Sequence, residues 1–213
     1  MLHNLSQNNS IIHEQLNFIR NKNLHNNREL FRSTIKKVGF LLGYEISRNL
    51  AFESTNIETP LGIANTKKLK EQPVLATILR AGLPLHEGLL QAFPESDNCF
   101  VGAYRKDTPD GGFTIKLDYL ATTNLEQKIL ILADPMLATG ASLQKTLNEL
   151  FKKYQPKQTI IASVIASKHG IEHLNKHFPD IDIYSAAVDA ELNSHGYIIP
   201  GLGDAGDLAF GMK

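Results

Sequence analysis

Cysteine is almost absent from this 213-residue chain: Cys99 is the only one. A lone cysteine cannot close an internal disulfide, and the count fits a reducing compartment. Its setting, Cys99-Phe100-Val101, reads as a buried strand and not as a nucleophile's surroundings. Excess charge is also lacking, since Lys+Arg and Asp+Glu both total 22 and the formal net charge is zero. That argues against nucleic acid or a membrane surface held by bulk charge. No apolar run approaches the ~18–20 residues of a membrane helix. The polar start MLHNLSQNNS has neither the basic nor the apolar region of a signal peptide. The expectation is a cytoplasmic protein with no membrane partner.

Two familiar phosphate-binding signatures are missing or misplaced. The chain has no G-x-x-x-x-G-K-[ST], so it is not a Walker A protein. Gly201-Leu202-Gly203-Asp204-Ala205-Gly206 does spell G-x-G-x-x-G. That fingerprint requires a preceding strand, a following helix and an acid about 20 residues later. Only seven residues follow Gly206, so a dinucleotide fold has no room there.

What is present is a regular alternation. Residues 1–27 read as an irregular arm. A helix starts near Asn27, with Phe31, Ile35, Val38, Leu42 and Ile46 on one face. Residues 53–72 read as a polar loop or hairpin arm. Strands are expected at 74–79, 99–104, 128–133, 159–166 and 181–188, with helices after Pro84, over 143–154 and over 168–178. This pattern predicts an α/β fold with a central, mainly parallel sheet flanked by helices. It divides as one domain into an N-terminal arm and helix (1–72), an α/β core (73–188) and a tail (189–213). Ligands of such sheets bind beyond the carboxyl ends of the strands, so the segments just after each strand carry the functional reading.

After the 128–133 strand comes Asp134-Pro135-Met136-Leu137-Ala138-Thr139-Gly140-Ala141-Ser142, and then a helix. A helix start offers unpaired N–H groups and partial positive charge to an anion. Thr139 and Ser142 add hydroxyl donors, and Gly140 permits close backbone approach. Asp134 would repel phosphate and suits sugar hydroxyls instead. Plain helix capping by Thr139 or Ser142 is the simpler alternative, and it explains one hydroxyl but not the whole group.

This stretch resembles the phosphoribosyl-diphosphate (PRPP) loop of type I phosphoribosyltransferases, and D-P-M-L-A-T-G resembles the uracil phosphoribosyltransferase branch. Ile78-Leu79-Arg80-Ala81-Gly82-Leu83, Tyr104-Arg105 and the tail HGYIIPGLGDAGD (195–207) resemble three further motifs of that branch, in the same order. The chain departs from the pattern at Pro135, where many members have a second acid, at Ala141, where the branch has Gly, and at Leu83-Pro84-Leu85-His86-Glu87.

The resemblance implies the type I phosphoribosyltransferase fold with a C-terminal base-binding hood, and transfer of phosphoribosyl from PRPP to uracil. It assigns Arg80, Arg105 and the residues Asp134, Pro135, Met136, Leu137, Ala138, Thr139, Gly140, Ala141 and Ser142 to PRPP. It assigns Ile198, Gly203, Asp204 and Ala205 to uracil, with Asp204 also beside PRPP. Arg80, Arg105 and Asp204 are the catalytic candidates. Mg²⁺ is implied as a cofactor held through PRPP and water, with no direct protein ligand. A homodimer or homotetramer is implied, with the N-terminal helix and the 53–72 arm as interfaces, and some relatives are activated by GTP. Residues 105–122 are expected to form a long loop that closes over the diphosphate. His86, His169 and His195 are weak acid–base candidates, and His195 is expected to support the tail. The rival function on the same fold is a UMP-sensing regulator that binds RNA.

Overall fold

The computed structural model describes the backbone of residues 1–107 and 113–212, and the side chains outside 104–115. Strand β1 (Leu2–Asn4) leads to helices α1 (Ile12–Arg20) and α2 (Arg28–Ser47), and then to a hairpin of β2 (Phe52–Thr59) and β3 (Gly62–Leu69). The core alternates: β4 (Val74–Leu79), α3 (Leu83–Ala92), β5 (Asn98–Asp107), β6 (Phe113–Ala121), β7 (Ile129–Ala133) and a short β8 (Met136–Leu137). It continues through α4 (Ala141–Phe151), β9 (Gln158–Ser167), α5 (Lys168–His177) and β10 (Asp182–Asp189). The tail adds β11 (Glu191–Leu192), β12 (Ile198–Ile199) and α6 (Ala205–Phe210).

The main sheet runs in the order β1-β10-β9-β7-β4-β5-β6, with β8 pairing beside β9. All its neighbours are parallel except β5 and β6. Successive strand residues face opposite sides, and the burial follows suit. Leu75, Ile131 and Ile160 join one core with Ile35, Val38, Leu42 and Leu89 from α2 and α3. Ala76, Leu132 and Ile161 join the other core with Leu143, Leu147 and Leu174 from α4 and α5. Strands buried on both faces explain the unbroken apolar runs in the sequence. Each fully buried aliphatic side chain contributes roughly 1.5–3 kcal/mol.

The predicted α2 is present, and Asn27 caps it by accepting a hydrogen bond from the Leu30 N–H at 2.9 Å. It lies backbone to backbone on α3: a Cβ on Gly88 would sit 2.0 Å from the Lys36 carbonyl oxygen, and one on Gly39 2.3 Å from that of Leu85. That close approach seats α2 firmly under the sheet.

Two expectations need correction. Residues 1–27 are not irregular: they supply β1, which joins the sheet edge beside β10, and α1, which buries Ile12, Leu16 and Ile19. Their apolar positions are three or four apart, a helical spacing hidden by the surrounding Asn and His. The 105–122 segment is not a long loop. Strands β5 and β6 pair from Phe100↔Ala121 out to Asp107↔Phe113, with a shift in register at Gly102/Ala103. Polar residues alternate here with apolar ones such as Leu117 and Leu120, which pack on the core, and Pro109, Gly111 and Gly112 make the stretch look like loop in sequence. The proposed closing action falls on residues 108–112, which lie outside the described residues. The tail ends in the six-residue α6. The 53–72 arm is a hairpin as one of its two readings expected, and it forms a sheet of its own.

Candidate active site

The carboxyl ends of β4 and β7 fall at Leu79 and Ala133, directly before Arg80 and Asp134. The tail folds back over this edge. A cleft of about 260 Å³ results, lined by Arg80 and Ala81, by Asp134, Met136, Ala138, Thr139 and Ser142, and by tail residues from His195 to Ile198 and from Gly203 to Gly206. A second cavity of about 80 Å³ is enclosed by the 134–143 segment itself. The Leu79–Arg80 and Ile199–Pro200 peptides are cis.

Gly140 is the N-cap of α4 at φ 79°, a left-handed conformation that Gly adopts without the clash a side chain brings. No side chain caps this helix fully. Thr139 Oγ1 only accepts a long 3.4 Å bond from the Ala141 N–H. The first-turn N–H groups of α4 therefore have no carbonyl partners within the helix and border the small cavity. Asp134 Oδ1 accepts a bond from the Met136 N–H at 3.2 Å. Burial of this carboxyl outweighs that bond and raises its pKa from 3.8 to about 6.

Arg80 is half-exposed and already holds an anionic oxygen. Its Nη2 donates to Asp207 Oδ1 at 3.3 Å and to the Gly211 carbonyl at 3.2 Å. Asp204 caps α6, accepting from the Asp207 N–H at 2.9 Å. His195 lines the cleft, and its backbone N–H donates to Asn193 Oδ1, as does that of Tyr197. His86 is buried beside Phe100, and desolvation lowers its pKa, which disfavours a proton-carrying role. Among the described residues no group of three or more His, Cys, Asp and Glu is arranged to hold a metal ion.

Of the residues assigned from sequence to PRPP or uracil, ten line the larger cleft: Arg80, Asp134, Met136, Ala138, Thr139, Ser142, Ile198, Gly203, Asp204 and Ala205. Leu137, Gly140 and Ala141 line only the smaller cavity. Pro135 borders neither. It is buried, and its carbonyl accepts from the Val164 and Ile165 N–H groups, so it ties the loop to β9. The Arg105 backbone pairs with Ile115, and its side chain lies outside those described.

Sequence reasoning missed what holds the tail. Arg20, at the end of α1, makes paired 2.8 Å bonds to both oxygens of Asp189 and a 3.0 Å bond to the Gly201 carbonyl. Asp189 also accepts from the Gly201 N–H at 2.9 Å. Arg32 of α2 donates to the Ala209 carbonyl at 2.7 Å. One signal was legible: Asp189 is a carboxylate at the end of a strand, the position already flagged at Asp134.

The fold and cleft define a class: a mainly parallel α/β protein whose strand ends bring together a loop that opens a helix, an arginine and a glycine-rich tail segment. The family model described as uracil phosphoribosyltransferase matches residues 6–212. A curated uracil phosphoribosyltransferase of Porphyromonas gingivalis is 43% identical over 92% of this chain and 91% of its own length. One of Methanothermobacter thermautotrophicus is 38% identical over 95% and 93%. A solved protein of Aquifex aeolicus superposes with a TM-score of 0.89 at 32% identity, covering 100% of this chain and 99% of its own. The chain belongs to the uracil phosphoribosyltransferase family. Among the described residues no helix is long and apolar enough to cross a membrane.

Proposed function

We propose that the protein transfers the 5-phosphoribosyl group of PRPP to N1 of uracil, giving UMP and diphosphate. One observation carries the reading. The tail, the Arg80 segment and the Asp134–Ser142 loop, remote in sequence, line one cleft. In the reaction a bond forms between uracil N1 and ribose C1, the C1–O bond to diphosphate breaks, and N1 gives up its proton. The protein's task is to hold both reactants in line and to stabilise charge on the leaving group. The α4 start and Thr139 receive the 5′-phosphate. The Asp134 carboxylate receives ribose hydroxyls. Arg80 exchanges the Asp207 carboxylate for diphosphate oxygens, and Arg105 is assigned the same partner by resemblance. Main-chain groups of Ile198, Gly203 and Ala205 read the base. A fixed N–H only donates and a fixed C=O only accepts, so cytosine, whose pairing edge is reversed, leaves polar groups unpaired. Asp204 lies beside both reactants.

The donors fit magnesium that arrives with PRPP. The hard carboxylate oxygens of Asp134 and Asp204 line the cleft without forming a cage. When bound, the ion would neutralise diphosphate charge. A homodimer is the assembly we propose. The β2–β3 hairpin exposes Phe52, Ile57, Leu61 and Ile63, and an isolated two-stranded hairpin is marginal in water. The lone, buried Cys99 supports a cytoplasmic location. The RNA-regulator alternative finds no support in the comparisons.

The test is UMP formation from PRPP with uracil, cytosine, orotate and hypoxanthine in parallel, with and without Mg²⁺ and with and without GTP. Turnover of uracil alone is expected; equal turnover of another base would sink the assignment. Arg80→Lys should raise KM for PRPP about tenfold, since lysine keeps the charge but cannot fork onto two oxygens. An unchanged KM would remove Arg80 from the diphosphate site.

A further inference from the structure

We infer that Ser167, at the end of β9, is a positioning residue that aims the Thr139 N–H of the anion loop at its ligand. The inference rests on the PRPP reading above. Ser167 is fully buried, and its Oγ donates to the Ala138 carbonyl at 2.5 Å while accepting from the Gly170 N–H at 2.8 Å. A peptide unit is planar and trans, so its C=O and N–H point in opposite directions. With the Ala138 carbonyl turned back to Ser167, the N–H of the same peptide, that of Thr139, is turned away from β9. Among the described residues nothing accepts a hydrogen bond from that N–H, and Thr139 lines the cleft.

The rest of the β9–α5 corner presses the same peptide from behind. A Cβ on Gly170 would lie 2.4 Å from the Ala138 oxygen, so α5 begins in contact with that carbonyl. Earlier on the β9 strand, Ser163 Oγ accepts from the Leu137 N–H at 3.2 Å and donates to the Ile165 carbonyl. His173 Nε2 donates to Gln144 Oε1 at 2.8 Å, and the ring sits against Gly140. Two serine hydroxyls thus hold the Met136–Leu137 and Ala138–Thr139 peptides of the loop. Without the Ser167 hydroxyl, the Ala138 carbonyl, packed against Gly170, has no hydrogen-bond partner among the described residues, a costly state for a part-buried acceptor. Rotation of the peptide relieves it, but puts an oxygen where an anion must sit.

Ser167→Ala should raise KM for PRPP on the order of tenfold, the ratio that one net hydrogen bond supports. KM for uracil should stay within about twofold. Affinity for ribose 5-phosphate, by calorimetry, should fall by the same factor as for PRPP. Ser167→Thr, which keeps the donor, should recover most of the loss. Ser167 also caps α5, so Ile183→Val, buried in β10, serves as a control that lowers Tm without touching the loop. If Ser167→Ala does not fold, Ser167→Gly carries the same measurement, because Gly is tolerated at a helix N-cap at little cost. Wild-type affinity for ribose 5-phosphate in the variant, or an equal PRPP effect from Ile183→Val, would overturn the assignment. If the wild-type protein made no UMP yet bound ribose 5-phosphate more tightly than Ser167→Ala, the transferase reading would fall and this one would stand.

Discussion

Arg20→Ala is expected to lower stability by about 3 kcal/mol and to raise KM for uracil more than KM for PRPP. The reason is the company Arg20 keeps. Asp189 is only 9% exposed, and both of its oxygens are held by the guanidinium at 2.8 Å. Removing the arginine leaves a nearly buried carboxylate with the Gly201 N–H as its one remaining partner among the described residues. Breaking a buried pair from one side costs roughly 3–5 kcal/mol, and the partial exposure of Arg20 places this case at the low end. For a chain of this size, each kcal/mol moves Tm by roughly 2–4 °C, so calorimetry should show a drop of about 6–12 °C.

The kinetic half follows from the second bond that Arg20 makes, to the Gly201 carbonyl. Gly201 begins the turn that carries Gly203, Asp204 and Ala205 to the cleft. Losing its anchor loosens the side of the site assigned to the base while leaving the Asp134–Ser142 loop on β7, β9 and α4. The paired change Arg20→Met with Asp189→Leu separates the two effects. An apolar pair of similar volume should restore much of the stability, but it cannot rebind the Gly201 N–H and C=O, so the uracil defect should persist. If the double variant recovered both, the pair would serve stability alone.

How far the sequence could be read follows from where each constraint lies. Strands buried on both faces announce themselves as apolar runs, and β4 begins and ends where Val74–Leu79 predicted. Local chemistry was equally plain: Asn27 before a helical face, and Asp134 through Ser142 between a strand and a helix. Arg20 and Arg32 were silent because each acts on a segment more than 160 positions away. No local pattern encodes such a partner. Ser163 and Ser167 were hidden differently. On a buried strand they read as small core residues, and only the folded loop supplies the groups they grip. The tail was legible by exclusion: its glycine spacing suits a dinucleotide loop, too few residues follow it, and its fold is a cap by Asp204 on a short helix.

Asp134→Asn should make the protein more stable above pH 6 and nearly inactive, and both effects come from one carboxyl. Burial raises its pKa from 3.8 to about 6. A raised value means that the folded state binds this proton more tightly than the unfolded chain. Its contribution is therefore full below pH 4 and is lost as pH rises through 6, where the buried group must carry charge. The displacement corresponds to about 3 kcal/mol as an upper figure. Asparagine never ionises and keeps an oxygen for the Met136 N–H. It should match the wild type near pH 4 and exceed it by about 1–3 kcal/mol at pH 8, read from denaturant midpoints. The kinetic consequence has the opposite sign. Only the carboxylate accepts strong charge-assisted bonds from ribose hydroxyls, so kcat/KM for PRPP in the wild type should fall below about pH 6 with unit slope. The asparagine variant should lose about 100-fold at pH 8, the worth of one or two such bonds, and should lack that acidic limb. A variant that kept wild-type turnover, or that lost stability at pH 8, would show that the charge cost at the end of β7 serves no bound sugar. If both effects appear, the protein carries an unfavourable buried charge at rest because its substrate is what completes the site.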